Sequence, residues 1–236
     1  MHKVSIIIPT LNEEKMIGKT LEFCLNQSYP IHEILVIDAN STDTTVEKAK
    51  KFTNVNVVQH HPPVGGQRAK AREFVTGDIL VFLDADVFLP PDFIAQAVST
   101  MEKKSLDITC PIYWPYHSTI PIKTVYGFFN AMFVLFQHIF PSGAGSCIIV
   151  RKNLYDKVGG FEASLKFDDI AFIRKAARAG KFRMLLRKVN VSDRRFREYG
   201  TLIMLVQYLL LSVFFMLGLF KQANLISYKF GAYKKQ

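Results

Sequence analysis

Residues 77–86 read GDILVFLDAD, and this stretch decides the fold class. Its apolar core, 79–83, is too short for a helix and too continuous for a half-exposed strand, so it reads as a strand covered on both faces. Asp84 and Asp86 follow two residues apart at the carboxyl end of that strand, where a period of two turns both carboxylates to one side. Similar runs occur at 4–8 (VSIII), 33–38 (EILVID), 55–58 (VNVV) and 146–151 (SCIIVR). Helical periods lie between them. Ile17, Leu21, Cys24 and Leu25 form a stripe behind a cap candidate at Asn12, and Ile94, Ala97, Val98 and Met101 form another after Pro91. This alternation predicts a mostly parallel sheet with helices on both faces and a ligand site beyond the carboxyl ends of the strands. The loops near those ends carry the polar chemistry: PTLNEE, DANSTDTT, GGQRAKAREFVTGD and DADVFLPPDF. Further on, residues 168–180 (DDIAFIRKAARAG) read as a helix with an acidic first turn, a basic last turn and a terminating Gly180.

The 236 residues are 49% hydrophobic and 21% charged, which suits one large domain or a domain with an appendage and excludes disorder or tandem small modules. Thirty Lys and Arg against twenty Asp and Glu give a formal charge of +10, which favours anionic company such as phosphorylated small molecules or an anionic membrane surface. Nucleic acid is not expected as a partner, because the basic residues are scattered and no nucleic-acid-binding module is present. Cys24, Cys110 and Cys147 lie far apart without a CxxC pair, which argues against a disulfide framework or zinc knuckle and for a reducing, cytosolic setting. The apolar run at the N-terminus stops at Pro9, too early for the core of a signal peptide.

Taken in order, SIIIPTLNEE, VIDANSTDTT, the Gly-Gly and Arg segment at 65–72, GDILVFLDAD, GSCIIVRKNLYDKVGGF and the acidic pair Asp168-Asp169 resemble the family 2 glycosyltransferases of the GT-A fold over roughly residues 4–200. The resemblance implies a Rossmann-like α/β domain that takes a sugar from a nucleotide-sugar donor with inversion. It places Pro9, Thr10 and Glu13 on the nucleotide pocket, Asp38 against the base, Arg68 on the diphosphate, Asp84 near the ribose or metal waters, and Asp86 on the metal. Asp169 takes the place of the catalytic base beside Asp168, and one of Arg194 and Arg195 that of an arginine closing over the diphosphate. Two positions depart from the pattern: Ala69 stands where the family carries Asn, and Ala171 where many relatives carry an acid.

The residues by themselves agree with parts of this assignment. Two carboxylates at a strand end offer hard oxygen ligands to Mg²⁺ or Mn²⁺, and a cation bridging a departing diphosphate stabilises its charge. A hydroxyl acceptor needs one carboxylate as general base, whereas a polyprenyl phosphate is already an anion and needs none. Plainer roles remain open beside these: Asn12, Ser41, Thr42 or Asp43 as helix caps, Lys70 and Arg72 as a solvated face, and His60 and His61 as loop residues. A sugar-phosphate nucleotidyltransferase would require a glycine-rich basic loop after the first strand, which PTLNEE is not. A non-catalytic membrane-bound scaffold of the same fold is the other alternative.

Residues 202–220 carry no charge, and nineteen residues of helix span about 30 Å, the thickness of a bilayer's hydrocarbon core. Arg194, Arg195 and Arg197 precede this stretch and Lys221, Lys229, Lys234 and Lys235 follow it, so a crossing would put four lysines outside a cytosolic enzyme. The expectation is therefore a GT-A domain over 1–200 and a membrane-associated helical tail over 201–236, lying in the cytosolic leaflet rather than spanning it. Val125, Phe128, Phe129, Met132, Phe133 and Phe136 form a second apolar stripe, packed in the core or exposed to join the tail as a rim for a lipid or lipid-linked acceptor. Trp114 and Tyr116 are positioned upstream to stack on an acceptor sugar.

Overall fold

A computed structural model describes residues 1–165 and 167–223. Lys229, Lys234 and Lys235, expected to flank the tail, lie outside the described residues. In chain order the elements are β1 (Val4–Thr10), α1 (Ile17–Leu25), β2 (Glu33–Asp38), α2 (Thr45–Lys50), β3 (Val55–Gln59), α3 (Val64–Lys70), β4 (Ile79–Leu83), β5 (Val87–Phe88) and α4 (Phe93–Lys104). There follow β6 (Ile108–Pro115), α5 (Ile120–Phe136), β7 (Cys147–Arg151), α6 (Lys152–Lys157), α7 (Asp168–Ala179), β8 (Phe182–Val191), α8 (Arg194–Tyr199), α9 (Thr201–Met216) and α10 (Phe220–Ala223).

The strands form one mixed sheet in the order β3-β2-β1-β4-β7-β6-β8-β5. β3, β2, β1 and β4 run parallel, as do β6 and β8, whereas β7 is antiparallel to both its neighbours and β5 to β8. The apolar runs are continuous because each central strand feeds two cores. Ile6, Ile8, Val36 and Val81 pack on the face with α1 and α4, while Ile7, Ile37, Leu80 and Phe82 pack on the face with α6 and α7. The cap expected at Asn12 is not formed: α1 starts at Ile17, and Asn12 takes φ 54° and accepts the backbone N–H of Thr42 at 2.9 Å, tying the β1 loop to the β2 loop. Asp43 does satisfy a donor at the start of α2, accepting the N–H of Thr45 at 3.0 Å.

Two pairings bring distant chain to the DAD segment. β4 and β7 lie antiparallel, so the residues before β7 meet the end of β4, and the N–H of Asp84 donates to the carbonyl of Ser146 at 2.9 Å. The short β5 pairs Val87 with Val191 at the end of β8, and the N–H of Ser192 donates to the carbonyl of Asp86 at 3.1 Å. The Arg194 segment is thereby delivered beside Asp86.

The single helix expected over 202–220 is not formed. α9 stops at Met216, and Gly218, at φ 72°, reverses the chain: Leu219 N–H bonds the carbonyl of Phe214 (2.9 Å) and Gly218 N–H that of Phe215 (3.1 Å). A left-handed glycine with these two bonds is a helix-terminating motif that the uncharged run concealed. Among the described residues no helix is long and apolar enough to cross a membrane. α9 packs on the rest of the chain: Met204 joins Ile122, Val125 and Phe196, and Leu211 and Phe215 join Phe167. Its other side, including Leu202, Ile203, Leu209, Leu210 and Val213, is exposed. The stripe on α5 is divided in the same way, with Val125 buried, Phe129 and Phe133 partly buried, and Phe128, Met132 and Phe136 exposed.

Candidate active site

A cavity of about 720 Å³ opens beyond the carboxyl ends of β1 and β4. One wall is polar, and α5, α9 and Phe167, just before α7, supply an apolar wall, with Phe129, Phe133, Phe167, Leu211 and Phe215 lining the same space. On the polar wall Arg68 is buried to 4% exposure and acts as the hub. Its Nη1 donates to both oxygens of Asp168 at 3.0 and 3.1 Å, and its Nη2 to Asp84 Oδ1 at 2.8 Å and the carbonyl of Gly145 at 3.1 Å. Burial works against the charge of this guanidinium, but Asp168, Asp84 and Asp169 together hold its pKa above the ordinary arginine range.

Asp168 and Asp169 open α7 side by side. Burial raises the pKa of Asp168 against the opposing charge of Arg68. Burial likewise raises Asp169, with Arg68 and the N–H groups of Ile170 and Gly145 pulling the other way. Asp169 lines the cavity, and Gly145 is what lets it stand there: a Cβ on Gly145 would fall on Asp169 Oδ2 and 2.6 Å from its Cβ. Gly65 works similarly behind Asp168, where a Cβ would meet the carbonyls of Glu162 and Leu165 at 2.8 and 2.9 Å. Arg194 forms the second knot, its Nη1 and Nη2 donating to the two oxygens of Glu13 at 2.6 and 2.5 Å while Nε sits 3.2 Å from Asp86 Oδ2. Burial pushes the Asp86 carboxyl up to about 6, with Arg194 opposing.

Pro9, Thr10, Glu13, Arg68, Asp84, Asp86, Asp168, Asp169, Arg194 and Arg195 are thus brought to one cavity. Asp38 is not among the residues lining it. Fully buried, its carboxylate accepts the hydroxyls of Thr10 (3.0 Å) and Ser41 (2.5 Å) and the N–H of Ser41 (2.8 Å), and so pins the β1 and β2 loops. Trp114 and Tyr116 are also off the cavity; Lys188 lies over the ring of Trp114, and Tyr116 packs on Phe88. His61 meets Asn40 at 3.2 Å, Lys70 pairs with Glu73 and Arg72 with Asp156, in keeping with loop and surface roles.

Sequence reasoning passed over Gln67, whose buried Nε2 donates to the carbonyls of Thr10 (2.9 Å) and Ile37 (2.5 Å) and fixes α3 to two strands. Its only signal was a polar residue between the Gly-Gly pair and Arg68. It also passed over Tyr113, whose hydroxyl reaches the carbonyls of Ala144 and Cys147, and Asn130, which bonds both backbone groups of Tyr113. Together they hold the 144–147 segment against Asp84.

Asp84 and Asp86 fit a hard divalent cation such as Mg²⁺ or Mn²⁺. Both present oxygen donors to the cavity, and the lining carries five carboxylates, Glu13, Asp84, Asp86, Asp168 and Asp169, against three guanidiniums, Arg68, Arg194 and Arg195. Among the described residues no group of three or more His, Cys, Asp or Glu converges, so water and substrate oxygens would complete the coordination.

Residues 5–159 match the family described as Glycosyl transferase family 2. The chain belongs to that family. It is 32% identical over 117 residues to a dolichyl N-acetyl-alpha-D-glucosaminyl phosphate 3-beta-D-2,3-diacetamido-2,3-dideoxy-beta-D-glucuronosyltransferase of Methanococcus voltae, covering 44% of this chain and 35% of that protein. To a dolichol-phosphate mannosyltransferase of Pyrococcus furiosus it is 33% identical over 109 residues, covering 44% and 31%. The matches thus span about a third of these relatives. Among solved structures, mannosyltransferase PcManGT from Pyrobaculum calidifontis in complex with GDP-Man and Mn²⁺ superposes with a TM-score of 0.68 at 23% identity, over 81% of this chain and 57% of that one. TarS of S. aureus in complex with UDP-GlcNAc gives 0.63 at 24% identity over 81% and 56%. At this identity these two structures establish a shared fold.

Proposed function

We propose that this chain transfers a sugar, with inversion, from a nucleotide-sugar donor to a lipid or lipid-linked acceptor at the cytosolic face of a membrane. The observation that carries the reading is the mixed lining of the cavity: carboxylates and guanidiniums from five segments of the chain, together with aromatic and aliphatic side chains. In this reading Pro9, Thr10 and Glu13 border the nucleotide, and Arg68 keeps Asp84 and Asp168 oriented. Asp86, with Asp84, would hold Mg²⁺ or Mn²⁺, which supplies charge stabilisation to the leaving diphosphate when bound. Arg194 and Arg195, both on the cavity lining, would neutralise that diphosphate. Asp169, its affinity for a proton raised by burial, takes the proton of an acceptor hydroxyl as the hydroxyl attacks the anomeric carbon. Asp38 serves the donor through the loop it pins.

The apolar sides of α5 and α9 that face outward support contact with a bilayer surface, and the exposed Arg197 of α8 favours anionic headgroups. Residues 1–200 would then be the catalytic domain and 201–236 the membrane-associated part. A second reading, polyprenyl phosphate as acceptor, is favoured by Arg195 beside the apolar wall and by the similarity to a dolichol-phosphate mannosyltransferase.

A thermal-shift screen of UDP-, GDP- and dTDP-sugars with Mn²⁺ tests the donor, since a ligand that binds only the folded chain raises its melting temperature. The variant Asp169→Asn then separates the acceptors: transfer to a hydroxyl should fall by about 10²–10⁴, whereas transfer to a phosphate should persist. Absence of donor binding and of donor hydrolysis, with and without Mn²⁺, would point instead to a non-catalytic scaffold.

A further inference from the structure

Arg194 has a position that the reading above leaves unexplained. An arginine whose task is to hold a diphosphate should wait beside the cavity, yet this one is fully engaged with protein carboxylates. Its fork spans both oxygens of Glu13, and its Nε lies against Asp86, one of the two residues suited to a divalent cation. Asp84 is engaged by a different guanidinium, that of Arg68, which is buried deeply enough to be a fixed part of the wall. Arg194 is not fixed in that way: its side chain is 20% exposed, and it begins a six-residue helix, α8, that ends at Gly200 with φ 88°. The five carboxylates of the lining exceed its three guanidiniums by two charges, the charge of one divalent cation.

We infer that Arg194 is an exchangeable positioning residue: it covers Glu13 and Asp86 while cation and donor are absent, and a divalent cation arriving at Asp86 releases it to the diphosphate of the donor. The inference rests on the proposed nucleotide-sugar reading and adds to it a linkage between the two ligands. Cation and guanidinium compete for one carboxylate, so Arg194 weakens binding of the cation alone. Once displaced, its fork finds a better anion in the diphosphate, so the same residue strengthens binding of the nucleotide when the cation is present. Each ligand therefore raises the affinity for the other. An arginine that merely braced α8 against β1 would, when removed, weaken both.

The test measures two affinities in the full chain by titration calorimetry: Mn²⁺ alone, and a nucleoside diphosphate (UDP and GDP tried in turn) with Mn²⁺ saturating. In Arg194→Gln the affinity for Mn²⁺ alone should rise and that for the nucleoside diphosphate fall, each by about five- to tenfold, a modest coupling. Glu13→Gln provides a second variant whose fold does not depend on the first: with the hold on Arg194 weakened, nucleoside diphosphate affinity should rise. Arg194→Lys keeps the charge without the fork and should fall between wild type and Arg194→Gln. The inference is overturned if Arg194→Gln leaves Mn²⁺ affinity unchanged or lowers it while wild type still binds nucleoside diphosphate, in which case the nucleotide-sugar reading stands. If wild type binds neither diphosphate, that reading fails and the exchange fails with it.

Discussion

The polar and apolar walls of the cavity are built on different terms. Side chains of residues 4–86 are placed by directed hydrogen bonds: Asp38 is saturated by Thr10 and Ser41, Gln67 donates to two carbonyls, and Arg68 donates to Asp84 and, beyond this region, to Asp168 and the carbonyl of Gly145, its buried Nε making no bond. The helices α5, α8 and α9 bring one aromatic side each to a small core around Phe196 and Met204 and leave the other side exposed. The polar wall is fixed by hydrogen bonds with directions, the apolar wall by contact area without them. A site that orients a charged donor needs the first, and one that admits an oily acceptor tolerates the second.

This contrast breaks most visibly at its hub. Arg68→Met strips the counter-charge from Asp84 and Asp168, and the fold should lose about 3–5 kcal/mol, measured by urea unfolding at neutral pH. A stable variant would mean that the polar wall is not what holds the site. Next in size is a matched pair of truncations. Ile37→Ala, in a fully buried strand position, should cost about 2–5 kcal/mol, while Leu210→Ala, half exposed on α9, should change stability by less than about 0.5 kcal/mol. Equal losses would erase the distinction between the regions. Leu210→Glu sharpens it: the melting temperature should hold, but partition onto vesicles containing anionic phospholipid should drop about tenfold, the burial of one leucine being worth at least 1.5 kcal/mol.

A small, pH-dependent effect belongs to Glu33 at the start of β2. Burial alone would raise its pKa, but bonds from the Ser5 hydroxyl at 2.6 Å and the Thr76 N–H at 2.7 Å lower it. A lowered carboxylate stabilises the fold above the unfolded pKa, about 4.5, and that contribution fades as pH falls through the lower folded value. Glu33→Gln should therefore flatten the acid limb of a stability-versus-pH curve and leave it nearly parallel to wild type above pH 5, with a difference below about 1 kcal/mol because solvent screens this partly exposed group.

Much of the polar region was legible because its signals are local. A covered strand reads as an unbroken apolar run, as in 4–8 and 79–83, and the functional residues follow the strand ends at fixed offsets. Arg68 and Asp169 were placed by the family resemblance, and Asp84 and Asp86 were found in this way. Gln67, Tyr113 and Asn130 were not, because a buried polar side chain is identified by its partners, and theirs lie 17 to 57 residues away. Asp38 shows the opposite limit: its place at the end of β2 was read correctly, but whether it faced a ligand or its own loop depended on how Thr10 and Ser41 turned. The run 202–220 was misjudged in length because hydropathy does not register a single left-handed glycine.

The sequence alone determined that 4–8, 33–38, 55–58, 79–83 and 146–151 are strands and that Asp84 and Asp86 stand at the carboxyl end of β4, since each follows from spacing within a few residues; it did not mark β5, β6 or β8. Only the tertiary structure decided that Arg68 holds Asp84 and Asp168 while Arg194 holds Glu13 and Asp86, and that α9 closes the cavity over them. Those pairings cross 16 to 181 residues and depend on the reversal at β7 and the β5–β8 register. Charge complementarity is blind to chain order, so the sheet topology chooses which partners meet.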